Sequence, residues 1–302
     1  MRAARRAALA AALLLAASCA PDADSGGGAI LLGAFRVDDV APRAAGLSGL
    51  HVDADGRRML ALDDRSFVYV ADIVREGNTP VGLSNVRRLA LRQADGRPMY
   101  GRDSEGLAVL ADDTLAVSYE GINAIFLHRG PKSIGGPLSR PIRLIRLPVN
   151  MGIEALASLP DRSLLAIAEA RRLGRHPVWR VDPEGHWHPM RGLGRSGGFR
   201  PVGADLGPDG RLWLLERAWH LPLRFATRVR TFRVDADGLS DPRTVLRTRT
   251  GEWGNFEGIS VRAAPGGTVV ALVSDDNGHD FMRAHYAEFL VPDPLDSGGE
   301  GD

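Results

Sequence analysis

Short apolar segments recur along most of the chain, and turn residues separate them. Most of these segments are rich in Val, Leu, Ile and Ala, and clusters of Gly, Pro, Asp or Asn follow them. This alternation is typical of β-strands joined by tight turns. The pattern starts near Ile30 and ends near Pro292. The sequence therefore predicts one all-β domain over residues 30–292.

One unit of this pattern occurs five times along the chain. Each copy has a short strand, a turn, and then a buried strand that ends in polar or acidic residues. The copies begin 49 to 57 residues apart, at Gly46, Asp103, Gly152, Gly203 and Asn255. A period of this size is typical of the blades of a β-propeller.

Four strands are expected in each of the first four units, and three in the last. The fourth strand of the second unit is placed at residues 142–147, and the strand missing from the last unit is assigned to residues 30–37. Pairing the two ends of the chain within one blade closes the ring and leaves no open sheet edge. The prediction is a β-propeller of five four-stranded blades closed by the N-terminal strand. A sixth blade within residues 78–102 is kept as an alternative.

Residues 1–18 have the features of a secretory signal peptide: arginines, an apolar run too short to remain in a membrane, and a small-residue cleavage site. The segment resembles a bacterial lipoprotein signal in which Cys19 is lipidated. It departs from that signal at Ala16, where leucine is usual, so plain secretion remains an alternative. Residues 19–29 are predicted to be a flexible tether, and residues 293–302 a disordered tail. The expected location is the periplasm, with a lipid anchor in the cell envelope.

Charge and cysteine content limit the partners. The chain has 38 basic and 37 acidic residues, so it has no surplus of positive charge to displace counterions from a nucleic acid. Cys19 is the only cysteine, which leaves the mature chain without a disulfide or a catalytic thiol. We expect a monomer that contacts a membrane only through the lipid at Cys19.

Acidic residues recur at two positions of the unit. The first position is the start of the first strand, which lies nearest the channel of a propeller; Glu105, Glu154 and Glu257 occupy it, and Ser48 is their equivalent. The second position is the end of the next strand, 15 residues later in the clear copies. The acids assigned to it are Asp63, Asp64, Glu120, Glu169, Glu216, Asp275 and Asp276. Two concentric sets of carboxylates are therefore expected at one end of the channel.

Carboxylates gathered in this way repel each other and raise each other's pKa. Ca²⁺ is bound by carboxylate, carbonyl and amide oxygens, so we predict Ca²⁺ as the cofactor. The predicted metal ligands are Glu105, Glu120, Glu154, Glu169, Glu216, Glu257, Asp275 and Asp276. The alternative is structural, because an acid can also brace a blade by accepting backbone N–H groups of the next one.

Catalytic and substrate-binding roles are assigned from the same positions. The predicted catalytic residues are Glu105, Glu154, Glu257, Asp64 and Asp275. Arg65 and Arg217 follow acids of the second set and, with Asn277, are predicted to bind a phosphorylated substrate. The glycine run at residues 192–198 matches no phosphate-loop spacing and is predicted to be a mobile loop.

Six motifs in order resemble the bacterial phytase-like domain family, also described as having esterase-like activity of phytase. They are Gly-Leu-Ser-Gly-Leu with a downstream Leu-Asp-Asp-Arg, Asp-Ser-Glu-Gly-Leu, Gly-Ile-Glu-Ala-Leu, Leu-Leu-Glu-Arg, Asn-Phe-Glu-Gly-Ile and Val-Ser-Asp-Asp-Asn. The resemblance covers about residues 33–290 and departs at residues 202–205, where the acid is displaced to Asp205. It carries functional residues onto Ser48, Asp64, Arg65, Glu105, Glu154, Glu216, Arg217, Glu257, Asp275, Asp276 and Asn277.

The resemblance implies a phytase-like hydrolase, and the sequence as a whole favours a calcium-dependent phosphoesterase acting on a small phosphate ester at the channel mouth. Two alternatives remain open. One is a non-catalytic propeller that binds a ligand or an envelope partner, and the other is a lactonase-like metal hydrolase.

Overall fold

The structure is a computed structural model that describes residues 28–41, 44–99, 102–129, 135–139, 147, 151–220, 224–276 and 283–293. Within these ranges the chain forms twenty β-strands and one short helix, α1 (Val37–Val40). None of the described helices is long and apolar enough to cross a membrane. The predicted signal peptide, Cys19 and almost all of the predicted tail lie outside the described residues.

The strands form five antiparallel sheets of four strands each, which are the blades. Blade 1 contains β2 (Leu47–Val52), β3 (Arg58–Asp63), β4 (Phe67–Glu76) and β5 (Thr79–Ala90). Blade 2 contains β6 (Ser104–Val109), β7 (Thr114–Tyr119), β8 (Ala124–Arg129) and β9 (Gly135–Ser139). Blade 3 contains β10 (Ile153–Ser158), β11 (Leu164–Ala168), β12 (Arg175–Val181) and β13 (Trp187–Gly194). Blade 4 contains β14 (Arg200–Leu206), β15 (Leu212–His220), β16 (Arg224–Val234) and β17 (Leu239–Arg247). Blade 5 contains β18 (Asn255–Ala264), β19 (Gly267–Asp275), β20 (His285–Pro292) and β1 (Ile30–Arg36).

The first strand of each blade is the inner strand of a closed ring. These strands contact one another in the cyclic order β2, β6, β10, β14, β18 and back to β2. The predicted five-bladed propeller is confirmed. All five inner strands begin at the same end of the channel, which is called the mouth below.

The N-terminal strand closes the ring as predicted. β1 pairs antiparallel with β20 and forms the outer edge of blade 5. Phe35 of β1 stacks on Tyr286 of β20, with ring centroids 5.1 Å apart. The first and last parts of the domain are therefore held in one sheet, and this pairing closes the ring of blades.

A buried ion network fixes the seam between blades 1 and 5. Glu288 of β20 is fully buried and accepts hydrogen bonds from Arg75 Nη2 at 2.6 Å and Arg75 Nη1 at 2.9 Å. Arg262 Nη2 donates to the same carboxylate at 3.2 Å, and the Tyr286 hydroxyl donates to it at 2.6 Å. Because Arg75 belongs to β4, this network ties the first blade to the last.

Consecutive side chains of a strand fill the two layers on either side of its blade. In β15, Trp213 and Leu215 pack against Phe256 of blade 5, whereas Leu212 and Leu214 pack in the cluster shared with blade 3. A strand covered on both faces needs apolar residues at every position. This explains why the second strand of each blade reads as a continuous apolar run.

Two outer strands differ from what the sequence indicated. Residues 79–90 form β5, the outer strand of blade 1, so the described part of residues 78–102 contains no sixth blade. Among the described residues, the outer strand of blade 2 is β9, which the sequence did not predict, and the predicted strand at residues 142–147 lies outside the described residues except for Leu147. β9 contains Gly135, Gly136 and Pro137, residues that are depleted in strands but tolerated at a sheet edge, so its composition hid it.

Candidate active site at the channel mouth

Every inner strand has a β-bulge just after its first residues. The register shifts lie between Leu47 and Gly49 in blade 1 and at the matching points of the other blades. A bulge turns the side chain of the extra residue out of the regular alternation. The residues at or within the bulge are Ser48, Glu105, Glu154, Val202 and Glu257. The predicted first set of acids therefore shares one structural position.

The glycine that follows the bulge residue in blades 2 and 4 has a packing role. A Cβ added at Gly106 would lie 2.7 Å from the backbone oxygen of Glu154 in the next inner strand, and one at Gly203 would lie 2.6 Å from that of Glu257. Real Cβ atoms do not approach that closely. In blade 2 the Glu105-Gly106 pair therefore combines an acid at the channel with a site of close contact between neighbouring inner strands.

Two further positions of each blade reach the mouth. The first lies in or directly after the second strand of each blade. It is the residue directly after the one that pairs with the last inner-strand residue before the bulge: Asp64, Glu120, Glu169, Arg217 and Asp275. The other lies two residues before the bulge position: Gly46, Asp103, Gly152, Arg200 and Asn255. Three positions per blade thus define the site.

The three bulge acids interact with one another. Burial raises the pKa of Glu105 well above its usual value, and repulsion from Glu154 and Glu257 adds to the shift. Burial likewise raises the pKa of Glu154, with repulsion from Glu169, Glu257 and Glu120. Glu154 is only 7% exposed, and its carboxylate has no hydrogen-bond partner among the described residues. A buried carboxylate in this setting favours either a proton or a bound cation.

Arg217 is the cationic centre of this acidic group. Its Nη1 donates to Asn255 Oδ1 at 2.8 Å and to Glu257 Oε1, and its Nη2 donates to Glu169 Oε1 at 3.4 Å. Burial lowers the pKa of Arg217, but attraction to Glu257, Glu154 and Glu169 outweighs it and leaves the pKa above its usual value. Arg217 therefore joins acids of blades 3 and 5 from its place in blade 4.

Blade 2 provides the donor set best suited to a cation. Oxygen atoms of Asp103, Glu105 and Glu120 all lie within 4.8 Å of one another. Glu120 Oε1 also accepts the backbone N–H of Gly152 at 2.9 Å, and burial raises the pKa of Glu120 to about 7. Three carboxylates at this spacing fit a hard cation such as Ca²⁺.

A second acidic group lies between blades 1 and 5. Burial raises the pKa of Asp64 to about 6, and repulsion from Asp63, Asp103 and Asp276 contributes. Arg65 Nε lies 3.6 Å from Asp64 Oδ1, and Asp276 Oδ1 accepts the backbone N–H of Gly46 at 3.2 Å. Asp103 influences both Asp64 and Glu105, so it links this group to the acids of blade 2. Asn277 lies outside the described residues.

Comparison with known proteins identifies the family. Residues 42–278 match the phytase-like family, described as esterase-like activity of phytase. The chain belongs to this family. No sequence among curated proteins matches it.

Several solved structures are similar to this phytase-like chain. An α-L-arabinofuranosidase from Podospora anserina, in complex with cellotriose, has a TM-score of 0.54 and 14% identity, covering 88% of this chain and 98% of that one. A gluconolactonase from Xanthomonas campestris has a TM-score of 0.44 and 15% identity over 85% and 89%. A PQQ-bound aldose sugar dehydrogenase from Streptomyces coelicolor has a TM-score of 0.46 and 13% identity over 85% and 97%.

Glu216, assigned to the metal ligands from sequence, lies elsewhere in the phytase-like propeller. It accepts hydrogen bonds from Arg228 Nε at 2.9 Å and from Arg230 Nε and Nη2 at 2.6 and 2.7 Å. Both of its oxygens therefore serve an ion pair within blade 4. Arg217, the next residue, takes the position at the mouth that is acidic in the other blades.

The carboxylates of Asp63 and Asp205 also have structural contacts, because both accept backbone N–H groups. Asp63 Oδ1 accepts the backbone N–H groups of Arg65 and Phe67 at 3.0 and 2.7 Å. Asp205 Oδ2 accepts the backbone N–H of Val261 at 2.7 Å and so joins blade 4 to blade 5. The bracing role considered for the repeated acids, accepting a backbone N–H of the next blade, thus applies to Asp205, Glu120 and Asp276. Asp63 and Glu216 accept hydrogen bonds within their own blades, and Glu154 does not brace a blade in this way within the described residues.

Sequence reasoning missed Asp103 and Arg200. Asp103 completes the donor set of blade 2, and Arg200 Nη1 lies 3.5 Å from Glu169 Oε1. Asp103 stands in the Asp-Ser-Glu-Gly-Leu motif, two residues before Glu105, and this spacing was the one signal in the sequence. The spacing has meaning only once the bulge at Glu105 is known, so from sequence Asp103 looked like an ordinary turn acid.

Proposed function

We propose that this phytase-like chain is a calcium-dependent phosphoesterase that acts on a small phosphate ester at the channel mouth. Family membership and the propeller fold suggest a hydrolase-type propeller. One observation supports the finer assignment: a three-carboxylate donor set in blade 2 lies in the same acidic group as the buried Arg217. A cation site close to a guanidinium group is the combination that binds and activates a phosphate ester.

The charge balance of the mouth requires a cation before it can accept a phosphate. Glu105, Glu154 and Glu257 surround the axis, while Arg217 is the guanidinium bonded among them. A phosphate ester entering this group alone would be repelled. Asp103, Glu105 and Glu120 would hold the cation. When bound, Ca²⁺ supplies positive charge that polarises a phosphoryl oxygen.

The residues around that position have separate tasks. Arg217 orients the substrate phosphate, because guanidinium N–H groups match two phosphate oxygens at once. Its contact with Glu169, at 3.4 Å, is the weakest of its hydrogen bonds and the one a phosphate replaces most easily. Asp64, whose pKa is raised to about 6, is placed to carry a proton near neutral pH and to give it to the leaving alkoxide.

Strand directions determine which end of the propeller a lipid anchor would hold. β20 starts near the mouth at His285 and runs away from it to Pro292, and Ile30 pairs with Leu290 near the far end of β20. Both ends of the domain therefore lie opposite the mouth. A lipid on Cys19 would therefore attach the protein to the membrane through the end opposite the mouth.

An activity assay tests the proposed function. Wild-type protein is assayed with a panel of phosphate monoesters and diesters, in Ca²⁺ and in chelator. We expect hydrolysis that requires Ca²⁺ and falls by about 100-fold or more in Glu105→Gln, since the loss of one charge-stabilising group costs this order of rate. Glu184→Gln, an exposed acid in the turn after β12, is the matched control and should retain full activity. No hydrolysis of any ester with Ca²⁺, Mg²⁺ or Mn²⁺ would overturn the assignment.

A further inference from the structure

Blade 4 differs from the other blades because each of its four strands carries an arginine near the mouth. They are Arg200 on β14, Arg217 on β15, Arg228 on β16 and Arg247 on β17. Arg200 pairs with Arg217 in the sheet register, and Arg228 pairs with Arg247. The two pairs lie in neighbouring cross-strand rows, because Arg217 is opposite Thr227 and Arg228 is opposite Glu216.

The outer pair, Arg228 and Arg247, lies beside Arg230 in a region with more positive charge than its one carboxylate, Glu216, neutralises. Arg228 and Arg230 are 7% and 8% exposed, and both donate to the single carboxylate of Glu216, which is 2% exposed. Two buried guanidinium groups on one carboxylate leave a net positive charge. Buried charge of this kind is retained only when it is paired or solvated.

Arg247 adds a third guanidinium group to this region. It lies directly opposite Arg228 in the antiparallel pair, a placement that is unfavourable for like charges. Both guanidinium carbons lie over the ring of Phe199, at 4.2 Å for Arg228 and 5.5 Å for Arg247. The Arg247 side chain is exposed, and no carboxylate among the described residues forms an ion pair with it.

Donor groups remain available in this cluster. Of the five N–H groups of Arg228, one bonds Glu216 and two bond Ser196, through its hydroxyl at 3.0 Å and its carbonyl at 3.3 Å. Ser196 lies within the glycine run at residues 192–198, which was expected from sequence to be a mobile loop, and Phe199 directly follows it. The structure instead makes residues up to Gly194 part of β13 and turns the chain at Gly197, with a φ of 64°.

We propose that Arg228, Arg247 and Ser196 form a phosphate-binding subsite beside the mouth. A guanidinium group can bind two phosphate oxygens at once, which a lysine ammonium cannot do with the same geometry, and a hydroxyl adds a further hydrogen bond. Resting on the proposed function, the subsite takes the second phosphate of a substrate whose first phosphate lies at Arg217. Neighbouring strands are about 4.8 Å apart, so β17 lies roughly 10 Å outward from β15. A small bisphosphorylated molecule spans that distance, and the site would favour it over a monophosphate.

The subsite is tested by calorimetry, with inorganic pyrophosphate titrated into the protein in the presence of chelator. Under these conditions the acids of the mouth repel the probe, so the subsite provides the binding. We expect Arg247→Gln to weaken binding by about tenfold, the effect of one charge-assisted hydrogen bond. Arg233→Gln removes an exposed arginine at the far end of β16 and should leave the affinity unchanged. Circular dichroism verifies that both variants fold.

The outcomes separate the two proposals. Absence of pyrophosphate binding, or equal affinity in wild type and Arg247→Gln, would overturn the subsite whatever the protein hydrolyses. Binding that depends on Arg247, in a protein that cleaves no phosphate ester, would support the subsite and overturn the phosphoesterase. In an active protein, the KM for a sugar bisphosphate should rise in Arg247→Gln while the KM for the monophosphate does not.

Discussion

Replacement of Arg217 by glutamine tests whether one guanidinium neutralises the acids of the mouth. Arg217 and Glu257 are bonded to each other, and their side chains are 19% and 14% exposed. Removing one partner of a buried ion pair costs about 3–5 kcal/mol. The change would leave Glu257 without its cation and Glu154 without the attraction that lowers its pKa. We expect a loss of about 3 kcal/mol in the free energy of unfolding at pH 8 in chelator.

The loss should depend on pH, and its sign follows from the direction of the pKa shifts. Burial raises the pKa of Glu105, Glu154 and Glu257 in the folded protein, so the folded state binds more protons than the unfolded state between the two pKa values. Stability then falls as pH rises through that window. Without Arg217 the pKa values of Glu154 and Glu257 rise further, because Arg217 lowers both. The variant should therefore be closest to wild type at pH 5 and furthest from it at pH 8.

Urea denaturation at pH 5 and pH 8 measures both free energies. Arg200→Gln is the matched control, because Arg200 lies 3.5 Å from Glu169 and is partly exposed, so it should cost less than about 1 kcal/mol. The double variant Arg217→Gln, Glu257→Gln removes both charges and should regain at least half of the loss. Equal losses at the two pH values, or a double variant no more stable than the single one, would refute this account of Arg217.

Three further outcomes are expected. Wild-type protein in chelator should melt at a lower temperature at pH 8 than at pH 5, because the pKa of Glu120 is raised from 4.5 to about 7 and ionising it costs about 3 kcal/mol. Ca²⁺ should remove this difference in melting temperature, and a melting temperature that does not change with pH in chelator would contradict the prediction. Glu288→Gln should lower the free energy of unfolding by about 3–5 kcal/mol, because it leaves buried arginines unpaired between blades 1 and 5. A loss below about 1 kcal/mol, measured by urea denaturation, would show that the seam does not depend on this carboxylate. Gly106→Ala should cost about 1–3 kcal/mol by overpacking, whereas Gly136→Ala, which meets nothing within 4 Å, should be neutral by the same measurement.

The fold was largely predictable because a propeller repeats one hydrophobic pattern. The period of the unit set the blade number, and the apolar strand at residues 30–36 matched the strand missing from the last blade. The pattern failed at β9, where glycine and proline form an edge strand. It failed there because pairing with β8, and not composition, makes that segment a strand.

The site was predictable in its acids and not in its register. Pairing of Val52 with Met59 leaves one more residue in the β2–β3 hairpin than pairing of Ser158 with Leu164 leaves in blade 3. This shifts the position at the mouth from Asp63 to Asp64. In blade 4 the 15-residue count from Val202 ends at Arg217, but the expectation of an acid favoured Glu216. Hairpin length and bulges decide which of two adjacent residues faces the channel, and a single sequence does not display them.

The central claim is that Asp103, Glu105 and Glu120 of blade 2 form a cation site at the mouth. Calorimetric titration of Ca²⁺ into wild type, Glu105→Gln and Glu184→Gln tests it most directly. The account predicts saturable binding by wild type and Glu184→Gln, weakened by about tenfold or more in Glu105→Gln because a carboxylate ligand is lost. Absence of Ca²⁺ binding by wild type, or the same affinity in all three proteins, would contradict it.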